Sequence, residues 1–351
     1  YSNVWAGGQV APAEMDRFGP AGRALVVGQW SQVFADDGVQ AGPFQLVPHG
    51  LIALLHPSGT VPWTLLYLAY TALTTALFLA GTVPTRDAVR RWARYAPLGV
   101  GAAVTVGNLV PWAQLAGHPA QVMIPALWVL AGRAARRGRS GWCGVLVGLA
   151  SGWEVWGVLG APVVLCAARP RLLRAAVAAG STVLLLYGPF VLSGSFAMFE
   201  KEWSISGRSL VHLLRPEMQE YPWSLRLLQA GLAVAVGVST ALLTRRSVYA
   251  PWLVPLAVLA ARLVADPLLF DYYWIAPAVT AAALVGASTV RGSVPAVTCT
   301  APLAVWLWTS GSRDLAGAVA LLLVTCVMAP VLVSRRARLR PSAAAPAAAT
   351  T

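Results

Sequence analysis

Long apolar runs without charge alternate with short, arginine-rich polar segments over most of the chain. The runs TLLYLAYTALTTALFLAGTV (64–83) and AAVAAGSTVLLLYGPFVLSGS (175–195) approach the roughly 20 residues that a helix needs to cross a bilayer. This pattern predicts an all-α polytopic membrane protein with about eleven transmembrane helices. The predicted spans are residues 62–83, 96–115, 118–132, 141–153, 155–168, 175–196, 223–244, 247–264, 268–290, 293–310 and 315–334.

One part of this pattern, residues 141–168, allows two interpretations: a single tilted helix or a hairpin of two short helices. A single helix would bury Glu154 midway and would place two arginine clusters on opposite sides of the membrane. We therefore predict a hairpin that turns at GWEVWG (152–157), although each arm is short for a bilayer.

The pattern divides the chain into three regions. Residues 1–61 form a predicted first extracytoplasmic loop, in which the apolar stretch 42–55 is too short to span and is expected to be a re-entrant or interfacial helix. Residues 62–334 form the transmembrane domain, and the low-complexity tail 335–351 is expected to be disordered. Because no span precedes the first loop, we also expect an upstream helix, which would bring the total to twelve.

The composition supports a membrane protein, because 57% of the residues are hydrophobic and only 11% are charged, against about 25% charged in soluble domains. The net charge of +13 would also fit a nucleic-acid partner. The arginines, however, gather in clusters between the apolar runs, as the positive-inside rule predicts for cytoplasmic loops, so we expect no nucleic-acid binding. The clusters are Arg86/Arg90/Arg91/Arg94, Arg133/Arg136/Arg137/Arg139, Arg169/Arg171/Arg174, Arg245/Arg246, Arg291 and Arg335/Arg336/Arg338/Arg340.

Placing the arginine clusters in the cytoplasm leaves Asp87 as the single acid on that side. The first loop then lies outside and the C-terminal tail lies in the cytoplasm, which agrees with an odd number of spans. The loops at His118, 197–222 and 310–314 also lie outside. The usage of Arg, Ala, Val and Gly fits a GC-rich bacterial genome, so the expected location is a bacterial plasma membrane.

All the cysteines lie within apolar runs, where they act as small hydrophobic residues, and not in polar loops that would suit a disulfide or a zinc site. They are Cys143, Cys166, Cys299 and Cys326. No cofactor is expected, and the sequence leaves the need for a divalent metal open.

Candidate site residues gather on the predicted outer face. Arg208, His212 and Arg215 have spacings of four and three, which would place them on one face of a helix. Arg262 lies near the outer end of a span, where an ionisable residue is costly. It either binds an anion or pairs with Asp266 four residues later.

Glu154, at the predicted turn, stands between Trp153 and Trp156. Aromatic residues in such places commonly anchor a protein at the membrane interface. A carboxylate held between two indoles could also bind an acceptor sugar by stacking and hydrogen bonds. The sequence leaves both interpretations open.

Two carboxylates one residue apart, Glu14 and Asp16, open the polar stretch EMDRFGPAGRALVVGQW (14–30). This stretch is similar to the acidic first-loop signature of the GT-C superfamily of membrane glycosyltransferases. It also resembles glycosyltransferase family 87 in the acid, the aromatic Phe18, the small residues that follow and Gly28.

Two later segments extend this resemblance to about two-thirds of the chain. Residues 117–165 are similar to the middle helices of family 87, with a short helix, a basic turn and a second helix. The segment DPLLFDYYWIAPAV (266–279) resembles the late SPxSWDHH element of that family. Asp271 matches the element, whereas Tyr272 and Tyr273 replace its histidine pair.

The resemblance implies that a sugar, often mannose, is transferred with inversion from a polyprenyl-phosphate donor to a glycan or glycolipid acceptor on the outer face. A carboxylate would act as the general base. The implied catalytic residues are Glu14 and Asp16, with Asp36 and Asp37 as alternatives. The implied donor-phosphate ligands are Arg208, His212, Arg215 and Arg262, and the implied substrate ligands are His118, Glu154 and Asp271.

The alternative is a multi-span transporter or flippase for a lipid or a small solute. Such a protein is expected to carry ionisable or helix-breaking residues near the middle of the membrane. The interiors of the predicted spans are almost free of charge, and the polar residues gather at the outer edge. This distribution favours chemistry at the outer leaflet.

Overall fold

The computed structural model describes residues 15–55, 73, 77, 119–291, 293–309 and 314–334. These residues are mostly helical, as the apolar pattern predicts. The α-helices are α1 (Met15–Val26), α2 (Trp30–Val33), α3 (Pro43–Leu55), α4 (Ala120–Arg136), α5 (Ser140–Ser151), α6 (Leu172–Leu192), α7 (Leu210–Leu214), α8 (Trp223–Thr244), α9 (Ala250–Val264), α10 (Ile275–Val290), α11 (Val294–Thr309) and α12 (Leu315–Ser334). Segments of 3-10 helix lie at Val155–Cys166, Arg169–Arg171, Ala197–Glu200 and Asp271–Trp274, and the strands are β1 (Trp203–Ser204) and β2 (Glu220–Tyr221).

Helix α9 is the centre of the bundle, since every residue from Ala250 to Leu263 is buried. It packs against α4, α8, α10, α12 and the 3-10 segment Val155–Cys166. Its side chains are apolar up to Arg262, in its last turn. The one charged residue of the central helix therefore lies where the helix ends.

Most predicted spans agree with the observed helices to within a few residues. The span 223–244 coincides with α8, and the span 315–334 coincides with α12. The spans 62–83 and 96–115 and the tail 335–351 lie outside the described residues.

The predicted start of the span 268–290 is wrong, because α10 begins only at Ile275. Asp266 Oδ1 accepts a hydrogen bond from the backbone N–H of Leu268 (3.0 Å), and Leu269 adopts a positive φ of 45°. Few residues other than glycine adopt that conformation, so the chain turns here although its side chains are apolar.

The predicted hairpin over 141–168 is confirmed as two short arms, α5 and the 3-10 segment Val155–Cys166, which pack against each other. Gly157 lies directly against the backbone of Ala150, so a side chain at this position would clash. The second arm is a 3-10 helix and contains Pro162.

Three of the arginine clusters meet at one end of the bundle. Arg136 Nη1 donates a hydrogen bond to the carbonyl of Arg245 (2.7 Å), and Arg171 Nη1 donates one to the carbonyl of Gly138 (2.9 Å). Helices α5 and α6 start at this end and run to the other end, where the turn at Glu154 and the loop after α6 follow them. The first loop pairs with both of these segments and so lies at that other end as well. These arginine segments therefore lie at the opposite end of the described helices from the first loop and the turn at Glu154.

Two helical stretches, Arg169–Leu192 and Trp223–Thr244, are long and apolar enough to cross a membrane. Large apolar side chains stand exposed along them, among them Leu184, Leu185 and Leu243.

Candidate functional site

Helices α1 and α3 form an antiparallel pair that opens the described part of the first loop. Gly22 and Gly50 bring the two backbones into contact, and Phe18 packs edge-on against the ring of His49 at 5.6 Å. The Nδ1 of His49 donates a hydrogen bond to the carbonyl of Gln45. Burial lowers the pKa of His49 to about 4, so its ring is neutral in the fold at neutral pH. The helix that the sequence predicts within 42–55 is thus observed as α3.

This first loop docks on two other segments at the same end of the bundle. Phe34 accepts a backbone hydrogen bond from Ala197 (2.7 Å), and Gln40 Nε2 donates one to the carbonyl of Met198 (3.1 Å). Ala41 pairs with Glu154 in an isolated antiparallel bridge. The first loop, the turn of the hairpin and the loop after α6 therefore meet at one place.

The acids of the first loop have different positions. Asp36 Oδ1 accepts a hydrogen bond from the backbone N–H of Gly38 (2.7 Å) and lies 3.5 Å from Arg17. Asp37 pairs with Lys201 at 3.6 Å. Asp36 thus stabilises the first loop internally, whereas Asp37 joins it to the loop after α6.

The preferred catalytic acids and two of the substrate ligands cannot be placed in the same way. Glu14 and His118 lie outside the described residues. Asp16 lies in the first turn of α1 and Asp271 opens a 3-10 segment, but the side chains of both lie outside the described part of the structure.

Glu154 stands at the turn of the hairpin, half-buried, just before the 3-10 segment. Its Oε2 accepts a hydrogen bond from Trp156 Nε1 (2.5 Å). The face of the same indole lies 4.3 Å from the guanidinium carbon of Arg262, and its ring packs edge-on against Trp128. One aromatic side chain thus contacts both the predicted acceptor ligand and a predicted phosphate ligand.

Arg262 is 5% exposed and lies between two aromatic rings, at 4.3 Å from the centre of Trp156 and 4.7 Å from that of Tyr273. Its Nη2 lies 3.9 Å from Oδ2 of Asp266, so the pairing four residues apart is confirmed. This distance is too long for a hydrogen bond. The guanidinium makes no hydrogen bond to any described residue.

A second, largely buried arginine, which sequence reasoning missed, joins the same carboxylate. Arg226 Nη1 donates a hydrogen bond to Gln229 Oε1 (2.9 Å) and lies 3.4 Å from Asp266 Oδ2. Its guanidinium lies over the ring of Trp203 at 4.3 Å, and Trp203 is paired across the two strands with Tyr221. The signal in the sequence was the polar pair Arg226 and Gln229, one turn apart at the start of an otherwise apolar span.

The resulting cluster carries more positive than negative charge. The guanidiniums of Arg226 and Arg262 share Asp266, which is fully buried. The Nε of Arg226 is also buried and has no hydrogen-bond partner among the described residues. A buried charge without a partner is costly, so this arrangement is suited to accept an anion such as a phosphate.

The predicted helical face of Arg208, His212 and Arg215 is wrong. Helix α7 spans only Leu210–Leu214, because Ser209 caps its start by accepting a hydrogen bond from the backbone N–H of His212 and a proline follows Arg215. Arg208 and Arg215 therefore flank the helix, and both are exposed.

Arg215 already has an acidic partner. Its Nε donates a hydrogen bond to Glu217 Oε1 (2.8 Å). The backbone N–H of Glu217 and the guanidinium of Arg215 together hold the pKa of this carboxyl below its usual range. An exposed, paired cation is a weaker anion ligand than the buried pair described above.

The described residues hold no group of three or more histidine, cysteine or acidic side chains that could bind a metal ion. Comparisons with protein families, with curated proteins and with solved structures gave no match for this chain.

Proposed function

We propose that this chain is a membrane glycosyltransferase that moves a sugar, with mannose as the first expectation, from a polyprenyl-phosphate donor to a glycan or glycolipid acceptor. The observation that carries the proposal is the buried cluster of Arg226, Arg262 and Asp266, which has an excess of positive charge. It lies one indole ring away from Glu154, at the end of the bundle opposite the arginine clusters.

A bilayer around the bundle accounts for its surface. Leucines stand exposed along α6, α8 and α12, for example Leu185, Leu243 and Leu323, whereas soluble proteins seldom expose wide apolar patches. The arginine end faces the cytoplasm by the positive-inside rule, so the candidate site faces the extracytoplasmic side of a bacterial plasma membrane. The proposed topology is a multi-pass protein of about eleven spans, or twelve with an upstream helix, with a cytoplasmic C-terminus.

The cation cluster suits the phosphate of a lipid-linked donor. Guanidinium groups bind phosphate oxygens through parallel charge-assisted hydrogen bonds, and Arg226 and Arg262 offer such donors in a largely buried place. Arg208, His212 and Arg215 remain proposed outer ligands of the same anion, screened by solvent. The polyprenyl chain would stay in the lipid beside the bundle.

The reaction needs one base and no acid. The acceptor hydroxyl oxygen attacks the anomeric carbon, its proton passes to a carboxylate, and the bond between that carbon and the phosphate oxygen breaks. Polyprenyl phosphate leaves as an anion that the two arginines stabilise. We assign the base role to Glu14 or Asp16, on the first-loop resemblance.

The acceptor is proposed to bind beside the base. Glu154 lies where the first loop docks on the hairpin, and its carboxylate can accept hydrogen bonds from sugar hydroxyls. His118 and Asp271 stay proposed substrate ligands. No cofactor belongs to this proposal.

The test uses the purified full chain in lipid nanodiscs, with radiolabelled polyprenyl phosphates that carry mannose, glucose, galactose or arabinose and with bacterial glycolipid acceptors. We expect label in the acceptor fraction with one of these donors. Arg262→Gln should strongly reduce this product at limiting donor, whereas Arg246→Gln, an exposed change at the arginine end, should leave it unchanged. Absence of product with every donor would overturn the proposal. Movement of labelled lipid across sealed vesicles without transfer would favour the flippase alternative.

A further inference from the structure

Gln121 is the most unusual buried polar residue of the described chain. Its side chain is fully buried, and neither Oε1 nor Nε2 has a hydrogen-bond partner among the residues that the structure describes. Other buried polar side chains of the bundle donate hydrogen bonds to backbone carbonyls of their own helices, as Ser151, Thr240 and Thr280 do. A buried amide with no partner is costly, so a group that is absent from the protein itself is expected to complete it.

The position of Gln121 places it near the candidate site. It is the second residue of α4, and the last turn of that helix lies at the arginine end of the bundle. Trp128 follows seven residues later, which is two helical turns along the same face. Trp128 Nε1 donates a hydrogen bond to the carbonyl of Gly157 (2.9 Å), and its ring contacts Trp156 at 5.6 Å.

By this spacing, the amide lies about two turns from Trp128 in the direction away from the arginine end, on the face of α4 from which Trp128 contacts the second arm of the hairpin. Trp156, on that arm, is the indole between Arg262 and Glu154. The amide and the cation cluster thus both lie toward the end of the bundle opposite the arginine clusters, and Trp128 and Trp156 connect their helices.

We infer that Gln121 recognises the sugar of the donor, by hydrogen bonds from its amide to the sugar hydroxyls. An amide both donates and accepts, which matches a pair of neighbouring hydroxyls, whereas a phosphate would accept only. This inference rests on the proposed function and adds to it the residue that separates the sugar-bearing donor from the bare lipid phosphate.

The decisive variant is Gln121→Met, which keeps the size of the side chain and removes both polar atoms. Affinities of the full chain in nanodiscs are measured for polyprenyl phosphate and for the same lipid with mannose, glucose, galactose or arabinose attached. We expect the wild type to bind one sugar-bearing lipid more tightly than the bare phosphate. The variant should lose this preference by about tenfold and bind the bare phosphate unchanged.

Thermal unfolding separates recognition from a structural role. Because the variant no longer buries an unpaired amide, its Tm should stay equal or rise by about 2 °C. A matched control is Trp252→Phe, which removes another buried, unpartnered N–H at the arginine end of the bundle. It should leave the preference for the sugar intact.

The outcomes are distinct. Equal sugar preference in wild type and Gln121→Met, or equal wild-type affinity for the bare and the sugar-bearing lipids, would overturn the role of Gln121. A lower Tm together with equal weakening of both ligands would also overturn it, in favour of a structural amide. A wild type that binds no lipid phosphate at all would instead overturn the proposed function.

Discussion

Arg226 and Asp266 are 40 residues apart in the chain and form an ion pair, with Nη1 of the arginine 3.4 Å from Oδ2 of the aspartate. The same oxygen lies 3.9 Å from Arg262 and accepts a hydrogen bond from Gln229. Helices α8 and α9 are therefore joined where the candidate site is built. The carboxylate is a structural requirement of the cluster as well as a part of its charge.

The change Asp266→Asn should destabilise the protein by about 3–5 kcal/mol, because it leaves two largely buried guanidiniums without a counter-charge. Chemical or thermal unfolding in detergent measures this loss. Asp37→Asn is the control, since its pair with Lys201 is partly exposed and should be worth at most about 1 kcal/mol. Similar small losses in both variants would contradict a buried, shared carboxylate.

The arginines should contribute to donor binding in the order of their burial. Arg226→Gln or Arg262→Gln should each weaken binding of a polyprenyl phosphate by about 1.5–3 kcal/mol, the worth of a hydrogen bond to a charged group. Arg208→Gln and Arg215→Gln, in exposed positions, should cost about 1 kcal/mol or less. Dissociation constants at two salt concentrations measure both effects. The reverse order would place the phosphate at α7.

Loss of the base should reduce turnover without loss of donor binding. Glu14→Gln or Asp16→Asn keeps size and hydrogen bonding but removes basicity, so the variant that lacks the base should lose about 10²–10⁴ in kcat. Asp36→Asn should lose much less, since Asp36 accepts a backbone hydrogen bond within the loop. If Glu14→Gln and Asp16→Asn both retain near-normal turnover, the base lies elsewhere.

The bond between Trp156 and Glu154 can be removed without removing the ring. Trp156→Phe keeps an aromatic face toward Arg262 but loses the N–H that orients Glu154. We expect the acceptor KM to rise about fivefold, the worth of one hydrogen bond, and the donor Kd to stay constant. Trp142→Phe, at an exposed position on α5, is the control. An unchanged acceptor KM would remove Glu154 from the acceptor site.

The α1–α3 pair should loosen in acid because of His49. Its pKa of about 4 in the fold lies below its ordinary value of 6.5, so the unfolded chain binds more protons in this range. The free energy of unfolding that depends on neutral His49 is therefore fully present above about pH 6.5. It falls as the pH drops toward 4, and the loss is about 2 kcal/mol at pH 5. His49→Leu should remove this part of the acid sensitivity. A parallel fall of Tm with pH in both proteins would contradict it.

The apolar pattern predicts the long elements well, since α8 and α12 are set by apolar residues over 20 or more positions. It fails where single polar or proline residues determine where a helix begins or ends. Ser209 and the proline after Arg215 limit α7 to one turn, and the turn that Asp266 stabilises by its hydrogen bond to Leu268 delays the start of α10. These are local hydrogen bonds that a periodicity of apolar residues does not record.

In the candidate site, too, the sequence pattern indicates some residues and misses others. The charge pattern along the chain predicts that Glu154 and Arg262 lie at one end of the molecule, opposite the arginine clusters. Arg226 escaped notice because an arginine at the start of a span is an ordinary interface anchor. Its partners Trp203 and Asp266 come from other segments, so only the folded structure brings them together.

The second arm of the hairpin is a 3-10 helix, and this helix type sets the length of the arm. Its 12 residues rise by about 2.0 Å each, so they extend over about 24 Å, where an α-helix of that length would cover about 18 Å. With three residues per turn, one deleted residue between Gly157 and Cys166 would rotate Trp156 by about 120° and draw it about 2 Å toward the arginine end. The number of residues in this arm therefore fixes both the position and the orientation of the Trp156 indole relative to Arg262.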